Sequence, residues 1–110
     1  MNHELASLGD TYVNFVYSLA MSEKTGIPIG KKVKGVFLAE ALKNSRLRKS
    51  LPSRMTRHRM ADAAEALIVY AWLNGYVTLK ESVAILEKAA TTTEGFTLLL
   101  EKIYKKIRPS

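Results

Sequence analysis

Residues 61–75, ADAAEALIVYAWLNG, contain the longest apolar run of the sequence and decide how the chain folds. Every residue from 63 to 73 is apolar except Glu65. A helix that is apolar almost all round belongs in the core of a protein, whereas a surface helix keeps a polar face. We therefore expect a buried central helix over residues 55–73, which the pair Asn74-Gly75 ends.

Two carboxylates interrupt this apolar environment one helical turn apart. Asp62 and Glu65 share a helix face, so both could bind the same metal ion. A carboxylate in apolar surroundings either neutralises through a raised pKa or finds a cation. Asp10 is the single charge in a similar stretch near the N-terminus, LASLGDTYVNFVYSLA. A role at a helix start stays open for Asp62, but eight apolar residues follow Glu65, and a core helix gains nothing from an unpaired acid.

The composition is that of one globular domain. The chain has 110 residues, and its 47% hydrophobic content is enough to bury a single core. It has no cysteine, which excludes a disulfide framework, a thiolate zinc site and a cysteine nucleophile, and favours a reducing, cytoplasmic location. The apolar run 66–73 is too short to cross a bilayer, and the N-terminus lacks a secretion signal, so we expect no membrane association.

Positive charge is concentrated in the middle of the chain. The net charge is +7, and residues 23–59 carry eleven Lys and Arg against two acids. Residues 46–59, RLRKSLPSRMTRHR, contain six of these bases and no acid. Such a surface is expected to bind a polyanion, although a basic run can also be merely solvated. The candidate phosphate contacts are Lys31, Lys32, Arg46, Arg48, Arg54, Arg57, His58 and Arg59.

Hydrophobic spacing predicts helices along the chain and no strand, since no segment alternates with period two. We expect helices over residues 4–22 and 34–44, the central helix, a helix that opens at the capping box Thr78-Leu79-Lys80-Glu81, and a last helix after residues 91–93. The chain is therefore predicted to be an all-α domain of five main helices. The expected buried faces are Leu5, Leu8, Tyr12, Val16 and Leu19 in the first helix, Val36, Phe37, Ala41 and Leu42 in the second, Val83, Leu86 and Ala90 in the fourth, and Phe96, Leu99, Leu100, Ile103 and Ile107 in the last.

Taken together, the two acidic segments resemble the two signature motifs of the ribonuclease III catalytic domain. Leu8-Gly9-Asp10 resembles the end of the first motif, roughly E-R-L-E-F-L-G-D, and residues 62–68, DAAEALI, resemble the second, D-x-x-E-A-L-I/W. The resemblance implies an all-helical homodimer that cuts double-stranded or structured RNA with Mg²⁺, or with Mn²⁺. It also implies that Asp10 and Glu65 bind the metal directly, while Asp62 orients the ligands and a metal-bound water.

The sequence departs from that family at one expected ligand. The family has a glutamate one turn before Asp10, and Ala6 occupies that position. The family's leading Glu and Arg are replaced by His3 and Glu4. We expect no double-stranded-RNA-binding domain beside it, so residues 1–110 resemble a minimal, catalytic-domain-only member of the family, with an archaeal source as one hypothesis.

Three functions are compatible with these residues. The leading hypothesis is a metal-dependent endoribonuclease. The alternative is a non-catalytic RNA-binding module of the same fold, which the missing carboxylate at Ala6 keeps open. A third hypothesis, a helical DNA-binding or scaffold protein, treats the acids as helix caps and leaves Glu65 without an explanation.

Overall fold

Five α-helices account for most of the chain. The structure is a computed structural model, and it describes residues 3–108. The helices are α1 (His3–Thr25), α2 (Gly35–Asn44), α3 (Arg57–Leu73), α4 (Leu79–Lys88) and α5 (Thr92–Ile107), with a short 3₁₀ helix, Arg46–Ser50, after α2. No strand occurs within residues 3–108, and the all-α prediction is confirmed.

Helix α3 has the central, buried position that the sequence predicts. It packs against α1, α2 and α5. Its five alanines are buried, together with Ile68 and Val69, and such small side chains allow neighbouring helices to approach closely. The last turn is less buried than expected, because the side chains of Trp72 and Leu73 are exposed.

Helices α1 and α3 approach each other closely at Gly9 of α1. A Cβ added at this residue would overlap the carbonyl group of Glu65 on α3 and would lie 3.1 Å from the backbone nitrogen of Ala66. Only glycine fits such a backbone contact without moving a helix. Gly9 lies within the continuous helix α1 and lets it cross α3 beside Glu65.

Two helix ends differ from the predicted ones for local reasons. Helix α1 continues to Thr25, and Gly26 ends it with a φ of 77°, a backbone conformation that favours glycine. Helix α3 begins at Arg57 rather than at residue 55. The Thr56 hydroxyl accepts a hydrogen bond from the backbone N–H of Arg59 (3.1 Å) and thereby caps the helix.

The predicted buried faces of α1 and α2 are partly wrong. Leu8 is exposed, and so are Val36 (43%) and Phe37 (36%) on α2. Helix α2 packs against both α3 and α5. Ala41 and Leu42 are buried as predicted, and Leu38 and Ala39 are buried in place of Val36 and Phe37.

Helices α4 and α5 form a hairpin with well-capped starts. The predicted capping box is present: the Thr78 hydroxyl accepts from the N–H of Glu81 (3.0 Å), and the Glu81 carboxylate accepts from the N–H of Thr78 (2.9 Å). Ala90 lies outside α4 and is exposed, contrary to the prediction, while Val83 is half-buried. None of the helices in residues 3–108 is long and apolar enough to cross a membrane.

Candidate active site

Helices α1 and α3 and the loop between α1 and α2 form a cleft of about 500 Å³. The three predicted acids all line it, although 55 positions separate the first from the last in sequence. The close crossing at Gly9 positions one wall against the other, since Gly9 directly precedes Asp10 and contacts the backbone of Glu65. The lining residues are His3, Ala6, Ser7 and Asp10 from α1, Lys32, Val33 and Gly35 from the loop and the start of α2, and His58, Ala61, Asp62 and Glu65 from α3.

Glu65 is the most perturbed acid of the cleft. Glu65 is buried, with 7% of its surface exposed. Burial, followed by the charge of Asp10, a hydrogen bond shared with Asp10 and the charge of Asp62, raises the pKa of Glu65 to about 8. The ammonium of Lys32 opposes this rise. At neutral pH this raised pKa keeps the Glu65 carboxyl mostly protonated.

Asp62 faces the same cleft but has a different partner. Its carboxylate oxygen Oδ2 lies 3.6 Å from Nε2 of His58, one turn earlier on α3. The Asp62 side chain is also more exposed than Glu65. Because His58 and Asp62 are both accessible, the acid can turn towards a ligand without leaving a buried charge unpaired.

The donor chemistry of the cleft fits a hard divalent cation. Mg²⁺ prefers oxygen ligands, keeps several waters, and is commonly held by one or two carboxylates together with a substrate phosphate. Asp10 and Glu65, which are in direct contact, match this requirement. Within residues 3–108, however, no three acid or histidine side chains are arranged to hold one ion together, so the protein itself offers two contacting ligands, with Asp62 nearby.

The family's missing glutamate is not replaced by its nearest acid. Ala6 lines the cleft at that position, and the residues of α1 that share its face are His3, Ser7 and Asp10. Glu4 is exposed and is not among the described residues of the cleft wall. The space beside Ala6 continues into a second cavity of about 330 Å³, which Asp62 also borders.

The predicted phosphate contacts separate into two groups. Five of them lie at or next to the acid cleft. Arg46 and Arg48 have partners within the protein instead: Arg46 donates to Glu101 (2.8 Å) and stacks over Tyr104, and Arg48 donates to the carbonyl oxygens of residues 52 and 53. Lys31 is exposed, and its backbone is bound to α1. The residues at the cleft are Lys32 and His58 on its wall, Arg54 and Arg59 at the adjoining cavity, and Arg57 beside His58.

The fold and the cleft define a class of protein: a small all-α domain in which two sequence segments place carboxylates together beside a basic surface. The sequence model of one family, described as Ribonuclease III, matches residues 3–108. The chain therefore belongs to the ribonuclease III family, and membership makes it a nuclease-like protein with an RNA-related function. A comparison with curated proteins finds no match.

Sequence reasoning missed three polar residues near the cleft. His3 and Ser7 lie on the cleft wall. Asn14 was not considered, although it donates to the Asp10 side chain (3.1 Å). A signal was available in each case, since residues three, four and seven positions apart share a helix face with one another and with Asp10.

Proposed function

We propose that this protein is a metal-dependent endoribonuclease that hydrolyses phosphodiester bonds in double-stranded or structured RNA. The observation that carries the proposal is the buried Glu65 carboxyl in contact with Asp10, in the cleft of a ribonuclease III family member. A buried acid beside a second carboxylate is costly to fold and is useful only if a cation or a reaction requires it. The absence of cysteine from the sequence supports a cytoplasmic site of action.

Each acid has a proposed role. Asp10 and Glu65 would hold Mg²⁺, or Mn²⁺, and Asp62 would orient a water molecule bound at the same place. When bound, the ion supplies charge neutralisation at the phosphate and lowers the pKa of its water. The chain's own residues fix the two carboxylates at the crossing of α1 and α3 and keep the rest of the cleft open to a phosphate.

The basic residues around the cleft would bind the RNA backbone. Arg54, Arg57 and Arg59 lie at cavities that adjoin the acid cleft, which supports a continuous phosphate-binding surface. Replacing all three by alanine should weaken duplex binding equally for all sequences, because the deep major groove of A-form RNA denies base readout. The slope of log affinity against log salt should become less steep by the equivalent of up to about three phosphate contacts. An unchanged slope would show that these arginines are solvated and do not bind the phosphates.

A homodimer is also part of the proposal. Leu8 (45% exposed), Phe15 (53%) and Trp72 (41%) remain uncovered. Leu8 and Phe15 are two turns apart on one face of α1, and Trp72 stacks on Tyr12 between them (ring centroids 4.8 Å apart). Such a patch on a family member supports a twofold dimer through α1. Sedimentation at tens of micromolar checks it, and a monomer would contradict it.

The second candidate is a non-catalytic RNA-binding module, and Ala6 is the observation that favours it. The change Ala6→Glu restores the family's glutamate at a position that lines the cleft. If the protein is an enzyme, this variant should cut faster or need less metal than the wild type. No change in either property would mean that another group already fills the role.

Incubation of the protein with a labelled RNA duplex tests the proposed function. We expect cleavage with Mg²⁺ or Mn²⁺ and none with a chelator. A single-stranded RNA of the same sequence is the control and should be cut more slowly. A protein that binds the duplex but leaves it intact with either metal would be the binding module.

A further inference from the structure

A stripe of four polar residues runs along α1, and three of them bind the loop that leads to α2. Asp10, Asn14, Ser18 and Ser22 are spaced four residues apart, so they share one face of the helix. The Ser22 hydroxyl accepts from the N–H of Ile29 (2.9 Å). The other contacts follow the same pattern one turn closer to the cleft each time, and the stripe fastens the loop along the helix.

Ser18 and Asn14 make the contacts nearest the cleft. The Ser18 hydroxyl accepts from the N–H of Lys31 (2.8 Å) and donates to the Lys31 carbonyl oxygen (2.9 Å). The Asn14 oxygen Oδ1 accepts from the N–H of Val33 (2.8 Å). The bound backbone positions are thus every second residue of the loop, and Lys32 is held between two of them.

Asn14 uses both ends of its amide. While Oδ1 binds Val33, Nδ2 donates to the Asp10 carbonyl oxygen (2.8 Å) and to its carboxylate oxygen Oδ1 (3.1 Å). An N–H can bind only the oxygen of the amide, and a carboxylate can bind only its NH₂ group. The two partners therefore fix the orientation of Asn14, and through it they fix Asp10 relative to the loop.

This arrangement positions Lys32 in the cleft. Its side chain lines the cleft with Asp10 and Glu65, and its charge acts on Glu65. Lys31, its neighbour, is not among the described residues of the wall. A cation in a cleft that has two contacting carboxylates would repel a metal ion, so its placement calls for an anion that enters the cleft with the ion.

We propose that Lys32 contacts the RNA phosphate that enters the acid cleft, and that Asn14 is the positioning residue that holds Lys32 and Asp10 in a fixed relation. The inference rests on the proposed function, gives Lys32 a specific contact within it, and adds Asn14. Lys32 donates a hydrogen bond to a phosphate oxygen, and its positive charge attracts the phosphate. It transfers no proton. A preorganised ammonium of this kind stabilises charge that develops on the phosphate during attack by water.

The lysine part is tested with Lys32→Gln and, as a matched control, Lys31→Gln. Three quantities are measured: the single-turnover cleavage rate at saturating protein, the affinity for the RNA duplex, and the affinity for Mn²⁺ alone by electron paramagnetic resonance. For Lys32→Gln we expect the rate to fall about 100-fold and duplex affinity to fall only a few-fold. Mn²⁺ should bind several-fold more tightly, because a like charge has left the cleft.

The direction of the Mn²⁺ change separates the proposal from a structural role. If Lys32 merely stabilised the cleft, its loss would weaken Mn²⁺ binding and lower the unfolding temperature. Either result, or an equal loss of rate in Lys31→Gln, would overturn the proposal. Lys32→Arg, which keeps the charge, should recover much of the rate. If the wild type cuts no RNA, the proposed function fails, while the Mn²⁺ affinities of the two glutamine variants still decide whether Lys32 faces the ion.

The asparagine part is tested with Asn14→Ala against Ser22→Ala. Both variants remove a hydrogen bond between α1 and the loop, but only Asn14→Ala also releases Asp10. We expect Asn14→Ala to slow cleavage at least about tenfold more than Ser22→Ala, and to increase amide hydrogen exchange at Val33. Equal effects of the two variants on the rate would show that Asn14 only anchors the loop and would overturn its positioning role.

Discussion

The acids of the cleft and the acids of the α4–α5 hairpin are in opposite situations. In the hairpin, Glu81 caps its own helix and lies 3.3 Å from Lys102, and its pKa is lowered by the backbone hydrogen bond from Thr78 and by Lys102. Burial works to raise the pKa of Glu101, but hydrogen bonds from Arg46 outweigh it and lower the pKa. In the cleft, burial and the neighbouring acids raise the pKa of Glu65 to about 8.

This difference shows which acids serve the fold and which do not. A carboxylate with a lowered pKa is more stable in the folded than in the unfolded protein, so the hairpin acids contribute to folding. Glu65 has the reverse effect above its ordinary pKa, because folding buries it next to another acid. An uncompensated acid pair in a cleft is a candidate functional site on physical grounds.

The largest expected effect is on cleavage by the variant Glu65→Gln. The amide keeps the shape of the side chain but cannot supply the negative charge that holds Mg²⁺. We expect the cleavage rate to fall at least about 1,000-fold, with duplex RNA binding unchanged. The control is Glu101→Gln in the hairpin, which should cut at close to the wild-type rate. Full activity of Glu65→Gln would remove this residue from the mechanism.

The second prediction concerns stability against pH without divalent metal. Between pH 4.5, the ordinary pKa of Glu65, and about 8, the folded protein holds a proton that the unfolded chain releases. The free energy of unfolding should therefore fall as pH rises through this window, by up to about 5 kcal/mol from this one group. Urea unfolding at several pH values measures it. Glu65→Gln should flatten the curve, whereas a slope equal to that of the wild type would contradict the raised pKa.

The third prediction compares one glycine from each region. In Gly9→Ala the new Cβ meets the backbone of Glu65, which a side-chain rotation cannot relieve. In Gly95→Ala on α5, the nearest atom is a side-chain carbon of Leu86, at 3.0 Å. We expect Gly9→Ala to cost about 3 kcal/mol or more and to widen the cleft, and Gly95→Ala to cost clearly less. Thermal unfolding measures both, and equal losses would mean that the α1–α3 crossing is not special.

Local sequence features predicted most of the helices. The capping box at Thr78 and the apolar run of α3 are each formed by residues that are close together in the sequence. The start of α4 and the buried position of α3 could therefore be predicted, and both are confirmed. Which side of a helix is buried depends on the neighbours that it packs against, and local spacing does not reveal them. Val36 and Phe37 were expected in the core from their spacing alone, but the packing of α2 against α3 and α5 leaves them exposed.

The same distinction applies to the cleft. The spacing of Asp62 and Glu65 predicts a shared helix face, and the structure brings Asp10 to it through a helix crossing that no local pattern encodes. The charge run could not reveal that Arg46 pairs with Glu101, since the two are distant in sequence. The four-residue spacing from Asp10 to Ser22 was visible in the sequence, but its partner loop was not.

We expect the cleft acids, unlike those of the hairpin, to require a cation. Thermal unfolding at pH 8 with increasing Mg²⁺ or Mn²⁺ tests it directly in the wild type, Glu65→Gln and Glu101→Gln. Binding to the folded state alone should stabilise the wild type and Glu101→Gln by about 2.7 kcal/mol at 100 times the dissociation constant, with no shift in Glu65→Gln. An equal shift in Glu65→Gln, or none in the wild type, would contradict the account.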